Sequence, residues 1–226
     1  MKRIYKAISV ITFAALMLAI PLVHASEPGI PHAGDAMWIE PETVDLRGTS
    51  ADVGYQFNVT VFINLTVSSA SWEFKLAYNK DHLNATRAGY TAGDKSDFFH
   101  NLTTIPLSPT FAVYNTTHDS VLHAESWMLG STRSPGYGSL AWIEFRIMAV
   151  PPSGETYTSM IALVDVYPGG TQETYAQQTD GTKIPLTIYD STYIIPEFSG
   201  LAIIISLMCM AAVTMFARKL ICSSHR

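Results

Sequence analysis

Five of the six asparagines in this 226-residue chain, Asn58, Asn64, Asn84, Asn101 and Asn115, open Asn-x-Ser/Thr triplets. Serine and threonine together supply 42 residues, so chance would put about one asparagine of six in such a triplet. The carboxamide nitrogen of the triplet is the acceptor for N-linked sugars, and the excess predicts a region facing a glycosylating exterior. Other chemistry is harder to find. No Gly-x-Ser-x-Gly elbow, His-Glu-x-x-His pair, Gly-rich phosphate loop or EF-hand pattern occurs. Histidines His32, His82, His100, His118 and His123 are scattered, and only His118 and His123 come close in sequence. Five apart along a strand they would face opposite ways, so no metal, cofactor or catalytic residue is expected. A pair of glycosidase carboxylates has no fixed spacing, which leaves a glycoside-acting enzyme open as an alternative.

The placement of charge narrows the partners. Lys2, Arg3 and Lys6 open the chain and Arg218, Lys219 and Arg226 close it, while all nineteen acids lie between Glu27 and Glu197. That interior holds only 8 of the 14 basic residues, and such an acidic body excludes nucleic acid as a partner.

Both ends read as membrane signals. The basic start, the apolar run AISVITFAALMLAIPLV and the small Ala25 form a secretory signal over residues 1–25. Residues 26–36 are then a linker. Residues 200–217 (GLAIIISLMCMAAVTMFA) carry no charge and are followed at once by Arg218 and Lys219. As a helix this run just spans a bilayer core of about 30 Å, with the basic residues and the 218–226 tail inside the cell. Cys209 and Cys222 lie in or behind it, so the exported part has no disulfide and depends on packing. Residues 191–199 are the juxtamembrane linker, ending in Pro196, Glu197 and Phe198. This Pro-Glu-Phe, apolar helix and basic cluster resembles the PEF-CTERM-type signal of archaeal surface proteins, which implies a membrane-embedded sorting enzyme as a partner. A plain stop-transfer anchor accounts for the same residues.

Between these ends the apolar period is two. In YQFNVTVFINLTV, Tyr55, Phe57, Val59, Val61, Ile63, Leu65 and Val67 share one face, and Asn58 and Asn64 fall on the wet one. In SWEFKLAY, Trp72, Phe74, Leu76 and Tyr78 point inward. Further strands are expected near Thr110–Asn115, Ser120–Leu129, Ser139–Met148, Thr158–Val166 and Lys183–Tyr189, separated by Pro-Gly and Asp-Gly turns. Residues 37–190 therefore read as an all-β, antiparallel sandwich or jelly roll.

The stretches MWIEPETVDLRGTSADVGYQFNVTVFINLTV, SASWEFKLAYNKDHLNAT, VLHAESWMLG and GSLAWIEFRI resemble successive stretches of cohesin-like domains, from Trp38 to Tyr189. The resemblance implies a jelly roll of about nine strands and a non-catalytic module that docks a dockerin-type protein through one sheet face. Related modules bind carbohydrate, and the family often organises polysaccharide-degrading enzymes. A structural envelope or adhesion subunit is the other non-catalytic reading.

The family register puts Leu122, Ala124, Ser126 and Met128 inward in one strand and Ala141, Ile143, Phe145 and Ile147 inward in another. If both strands share a sheet with SWEFK, its outer face collects Glu73, Lys75, His123, Glu125, Trp127, Trp142, Glu144 and Arg146. Two tryptophans among charges suit a protein interface or sugar stacking, so these eight form the expected partner-binding face.

Overall fold

A computed structural model describes residues 31–47, 51–128, 132–152, 154–166 and 170–196. The expected signal, apolar helix and tail, with Glu197 and Phe198, lie outside them. Fourteen strands, numbered in chain order, make two sheets, and no helix occurs among the described residues. One sheet joins β1 (Ala36–Glu40), β3 (Gln56–Leu65), β5 (Leu83–Tyr90), β9 (Gly136–Ile147) and β13 (Thr187–Tyr189) in the order β13-β1-β3-β9-β5. The other has nine strands. They are β2 (Thr43–Asp45), β4 (Ser71–Asn79), β6 (Thr104–Pro106), β7 (Thr110–Val113), β8 (His118–Trp127), β10 (Thr156–Leu163), β11 (Tyr175–Gln177), β12 (Lys183–Ile184) and β14 (Ser191–Pro196).

The two-residue period builds the core as expected. Val59, Val61, Ile63 and Leu65 of β3 and Trp72, Phe74, Leu76 and Tyr78 of β4 are all buried, and they meet Ile143, Phe145 and Ile147 of β9. Each such side chain gains about 1.5–3 kcal/mol from leaving water, which lets the sandwich stand without a disulfide.

Two expectations are corrected. The sandwich is not wholly antiparallel, because β1 pairs with β13 and β2 with β14 in parallel. The opening strand breaks at Pro41 and the closing one at Asp190, and each half of each joins a different sheet. The sandwich also runs past residue 190: Ser191–Pro196 is a strand laddered to β10 and β2, not a linker, and Pro196 stands opposite Thr156.

A short strap, His32–Asp35, crosses the outer face of the five-stranded sheet. Asn64 Nδ2 donates to the carbonyls of His32 (2.8 Å) and Gly34 (3.1 Å), while Asp35 accepts from the Thr66 amide and hydroxyl. The His32 ring stacks on Tyr189 at 3.9 Å and meets Trp38 edge-on at 5.2 Å. Trp38 points away from the core, yet only 1% of it is exposed.

Candidate docking face

Alternation along β4 leaves Ser71, Glu73, Lys75 and Ala77 on the outer face of the nine-stranded sheet, above the buried Trp72, Phe74 and Leu76. Across the β4–β8 ladder they stand opposite Ser126, Ala124, Leu122 and Ser120. Residues opposite one another in a ladder share a face, so this face alternates small side chains with Glu73, Lys75 and Leu122. On its other edge β4 pairs with β11 and then β10, which adds Tyr175, Gln177 and Ala162.

The charges on this face are already partnered. Lys75 Nζ lies 2.5 Å from Glu173, the Tyr175 hydroxyl donates to Glu73 at 3.3 Å, and Lys183 Nζ sits 3.8 Å over the Tyr175 ring. Burial pushes the Glu73 carboxyl above its ordinary range, and Glu173 adds to this against the hydrogen bond from Tyr175 and the nearby lysines. Beyond this polar quarter lies a shallow groove of about 790 Å³ floored by Ala77 and Ala162 and walled by Met160, Val164, Tyr114 and His118.

The eight residues expected on one face do not come together. Glu73 and Lys75 are where they were expected. β9 belongs to the other sheet, so Trp142, Glu144 and Arg146 face outward from the opposite side of the molecule. Orientation along β9 follows the expected parity, with Ala141, Ile143, Phe145 and Ile147 buried. Glu144 is only 7% exposed: Arg87 pairs with it at 2.5 Å, Thr86 donates at 2.5 Å and Gln56 at 3.2 Å. These bonds hold its carboxyl below the usual range, the Arg87 contact first among them. The Trp142 indole lies over Gly89, so that a Cβ there would come within 2.9 Å of it.

The parity of β8 is the reverse of the expected one. Val121, His123 and Glu125 point into the sandwich, His123 and Glu125 each 1% exposed, and the partly buried Trp127 shares their side. Glu125 reaches the interior because the fold supplies its partners, whereas the His123 ring goes in with its Nε2 unpartnered among the described residues. Glu125 accepts the Ser96 amide at 3.0 Å and the Thr104 hydroxyl at 2.6 Å, both from the long segment between β5 and β7. His123 Nδ1 accepts the Ala124 amide at 3.1 Å, and its ring sits among Trp72, Phe74 and Tyr90. Burial lowers its pKa to about 4, so the ring is neutral near pH 7.

Sequence reasoning missed Tyr175, Glu173 and Lys183, which lie in short strands or loops with little alternation. It also missed β5, where Gly89, an isolated glycine in a strand, signals close approach of a neighbour. Among the described residues no group of three or more His, Cys, Asp and Glu is placed to hold a metal ion.

No family model and no curated protein matches the chain. Among solved structures, a type I cohesin of Clostridium thermocellum, determined in a cohesin–dockerin complex, is similar with a TM-score of 0.50 at 12% identity, over 76% of this chain and 99% of that one. A non-cellulosomal cohesin from the hyperthermophilic archaeon Archaeoglobus fulgidus gives a TM-score of 0.47 at 15% identity, over 75% and 96% of the two chains. The domain is thus an all-β sandwich with a cohesin-like fold.

Proposed function

We propose that this chain is a non-catalytic docking module that receives a dockerin-type protein on the outer face of the nine-stranded sheet. The observation that carries the reading is the make-up of that face: the small Ala77, Ser120, Ala124 and Ala162 are interleaved with Leu122 and with the Glu73, Lys75, Glu173, Tyr175 and Lys183 network. Small side chains let a partner's backbone or helix approach closely. Charges already held in place lose little further freedom on binding. The similar cohesin of Clostridium thermocellum was itself determined with a dockerin bound, which supports this class of partner. We place the module outside the cell, held by the apolar 200–217 helix, with Pro196, Glu197 and Phe198 as the sorting signal.

The test is binding of the exported domain to dockerin-bearing proteins from the same cell surface. Ala124→Arg and Ala162→Arg each put a long charged chain on this face in place of a small one and should lower affinity at least a hundredfold. Trp142→Ala, on the opposite sheet, should leave it within about twofold. Sensitivity at Trp142 with none at Ala124 or Ala162 would move the docking site to the other face.

An envelope or adhesion subunit without a dockerin is the second reading, and one observation favours it. Among the described residues strand β7 pairs only with β8, and it exposes Phe111 and Val113, the latter 73% exposed. Such an edge can accept a strand from another copy. Sedimentation of the domain as a concentration-dependent oligomer that Val113→Lys dissolves would favour this role.

A further inference from the structure

The five asparagine triplets fall at very different places in the fold, and the outer face of the five-stranded sheet holds three of them. Along β3, Asn58 and Asn64 share the outer parity with Gln56, Thr60 and Phe62. Across the sheet, Asn58 stands opposite Glu144, and Asn84 of β5 stands opposite Arg146. Asn58 and Asn84 therefore flank β9 on one face. They are two strand spacings apart sideways and one side-chain repeat apart lengthwise, about 12 Å in all. Both are exposed. Among the described residues neither carboxamide is tied to another group, so a substituent on Nδ2 would project outward from each.

Asn64 differs in its burial and in the hydrogen bonds of its carboxamide. It is partly buried, and its Nδ2 gives both hydrogens to the strap, one to the His32 carbonyl and one to the Gly34 carbonyl. The Thr66 hydroxyl ties the same triplet to the strap by donating to Asp35 at 2.8 Å, whereas the Thr86 hydroxyl of the Asn84 triplet donates within the sheet, to Glu144. A sugar on Asn64 would remove one of the two hydrogens and occupy the place of the strap that covers Trp38. The other two triplets lie off this face. Asn101 is in the segment between β5 and β6, and Asn115 is in the β7–β8 turn, where its Oδ1 accepts from Thr117 and His118.

We propose that Asn58 and Asn84 are N-glycan attachment sites and that Asn64 is not, so that the outer face of the five-stranded sheet is clad in sugar. The co-substrate is a lipid phosphate-linked glycan. Nδ2 forms a bond to the sugar C1 as the C1–O bond to phosphate breaks. The lipid phosphate leaves with the bonding pair, and the proton lost from Nδ2 passes to that phosphate. No oxidant or reductant is needed. The fold selects by which asparagine carboxamides it leaves open to solvent and which it ties to the strap. Two branched sugars about 12 Å apart bar a protein from this face and leave the nine-stranded sheet as the open one. The inference does not rest on docking, since bare asparagines would leave the partner experiments above unchanged.

The experiment is mass spectrometry of the full chain and its peptides after export from a glycosylating host, for the wild type and for Asn58→Gln, Asn64→Gln and Asn84→Gln. Asn58→Gln and Asn84→Gln should each remove one glycan from the intact mass, and Asn64→Gln should remove none. Should Asn64→Gln fail to accumulate, the wild-type peptides decide, because they report Asn64 directly. A bare Asn58 or Asn84, or a glycan on Asn64, overturns the assignment.

Discussion

A Cβ on Gly138 would stand 2.9 Å from the Cα of Phe98, so the segment between β5 and β6 lies directly on the backbone of β9. The Phe98 amide donates to the Ser139 carbonyl at 3.0 Å and closes this contact, with Phe98 and Phe99 both buried beneath it. Backbone meets backbone here, so nothing flexible can give way. Gly138→Ala should cost about 1–3 kcal/mol. Gly89→Ala meets the side chain of Trp142, which can tilt, and should cost less while shifting the tryptophan emission. Urea unfolding of the two variants checks the order; equal losses would mean that the Phe98 segment yields as readily as an indole.

Glu125 ties the same segment to β8 from the other end. Its two oxygens accept from Ser96 and Thr104, and replacing it with alanine leaves the buried Ser96 amide and the partly buried Thr104 hydroxyl without this partner. Glu125→Ala should therefore cost about 2–3 kcal/mol. In a domain of this size that lowers the melting temperature by roughly 5–10 °C. Glu125→Gln keeps one carbonyl acceptor and should lose about half as much. Thermal melts of both decide this, and an unchanged melting temperature in Glu125→Ala would show that the segment is held elsewhere.

The titration of His123 has a definite sign. Burial lowers its pKa to about 4, below the ordinary 6.5 that it regains on unfolding. Between these values the unfolded chain binds the extra proton, so stability rises with pH across that window. The contribution is complete above pH 6.5 and is lost as the pH falls through about 4. Glu144, held low by Arg87, gives a loss of the same sign at more acid pH, whereas Glu73 and Asp190, raised by burial, act oppositely. His123→Leu should flatten the fall in urea midpoint between pH 6.5 and 4 and leave any slope below it. A slope unchanged by the substitution would place the proton uptake on another group.

These residues also show where sequence reading stops. The inner faces of β3, β4 and β9 were legible because a period of two reports directly which side is apolar. In β8 the same logic failed: Leu122 looked like core and His123 and Glu125 like surface. The deciding facts were the hydrogen bonds that Ser96 and Thr104 bring to Glu125 from distant sequence. Sheet membership is likewise not a local property. The alternation of GSLAWIEFRI is the same in either sheet, and only its ladder with Val59 and Val61 puts Trp142 opposite to Lys75. β5 escaped notice because a bulge at Thr86 interrupts its alternation, the same bulge that lets Thr86 and Arg87 both reach Glu144.

Asn64 closes the strap over Trp38, and this can be measured apart from any sugar. Asn64→Ala removes two hydrogen bonds to main-chain carbonyls, each worth about 1 kcal/mol net. The His32 ring rests on Tyr189 and Trp38 only while the strap is down. Its release uncovers an indole that is 1% exposed in the intact domain. In Asn64→Ala made without glycosylation, iodide should quench tryptophan emission more strongly, and protease should cut near Pro31–Asp35 sooner, while the core melts only slightly earlier. Asn58→Ala, on the same strand and face but with no bond to the strap, serves as the control and should change none of the three. If both variants behave alike, the strap is held by Asp35 and the aromatic stack rather than by Asn64.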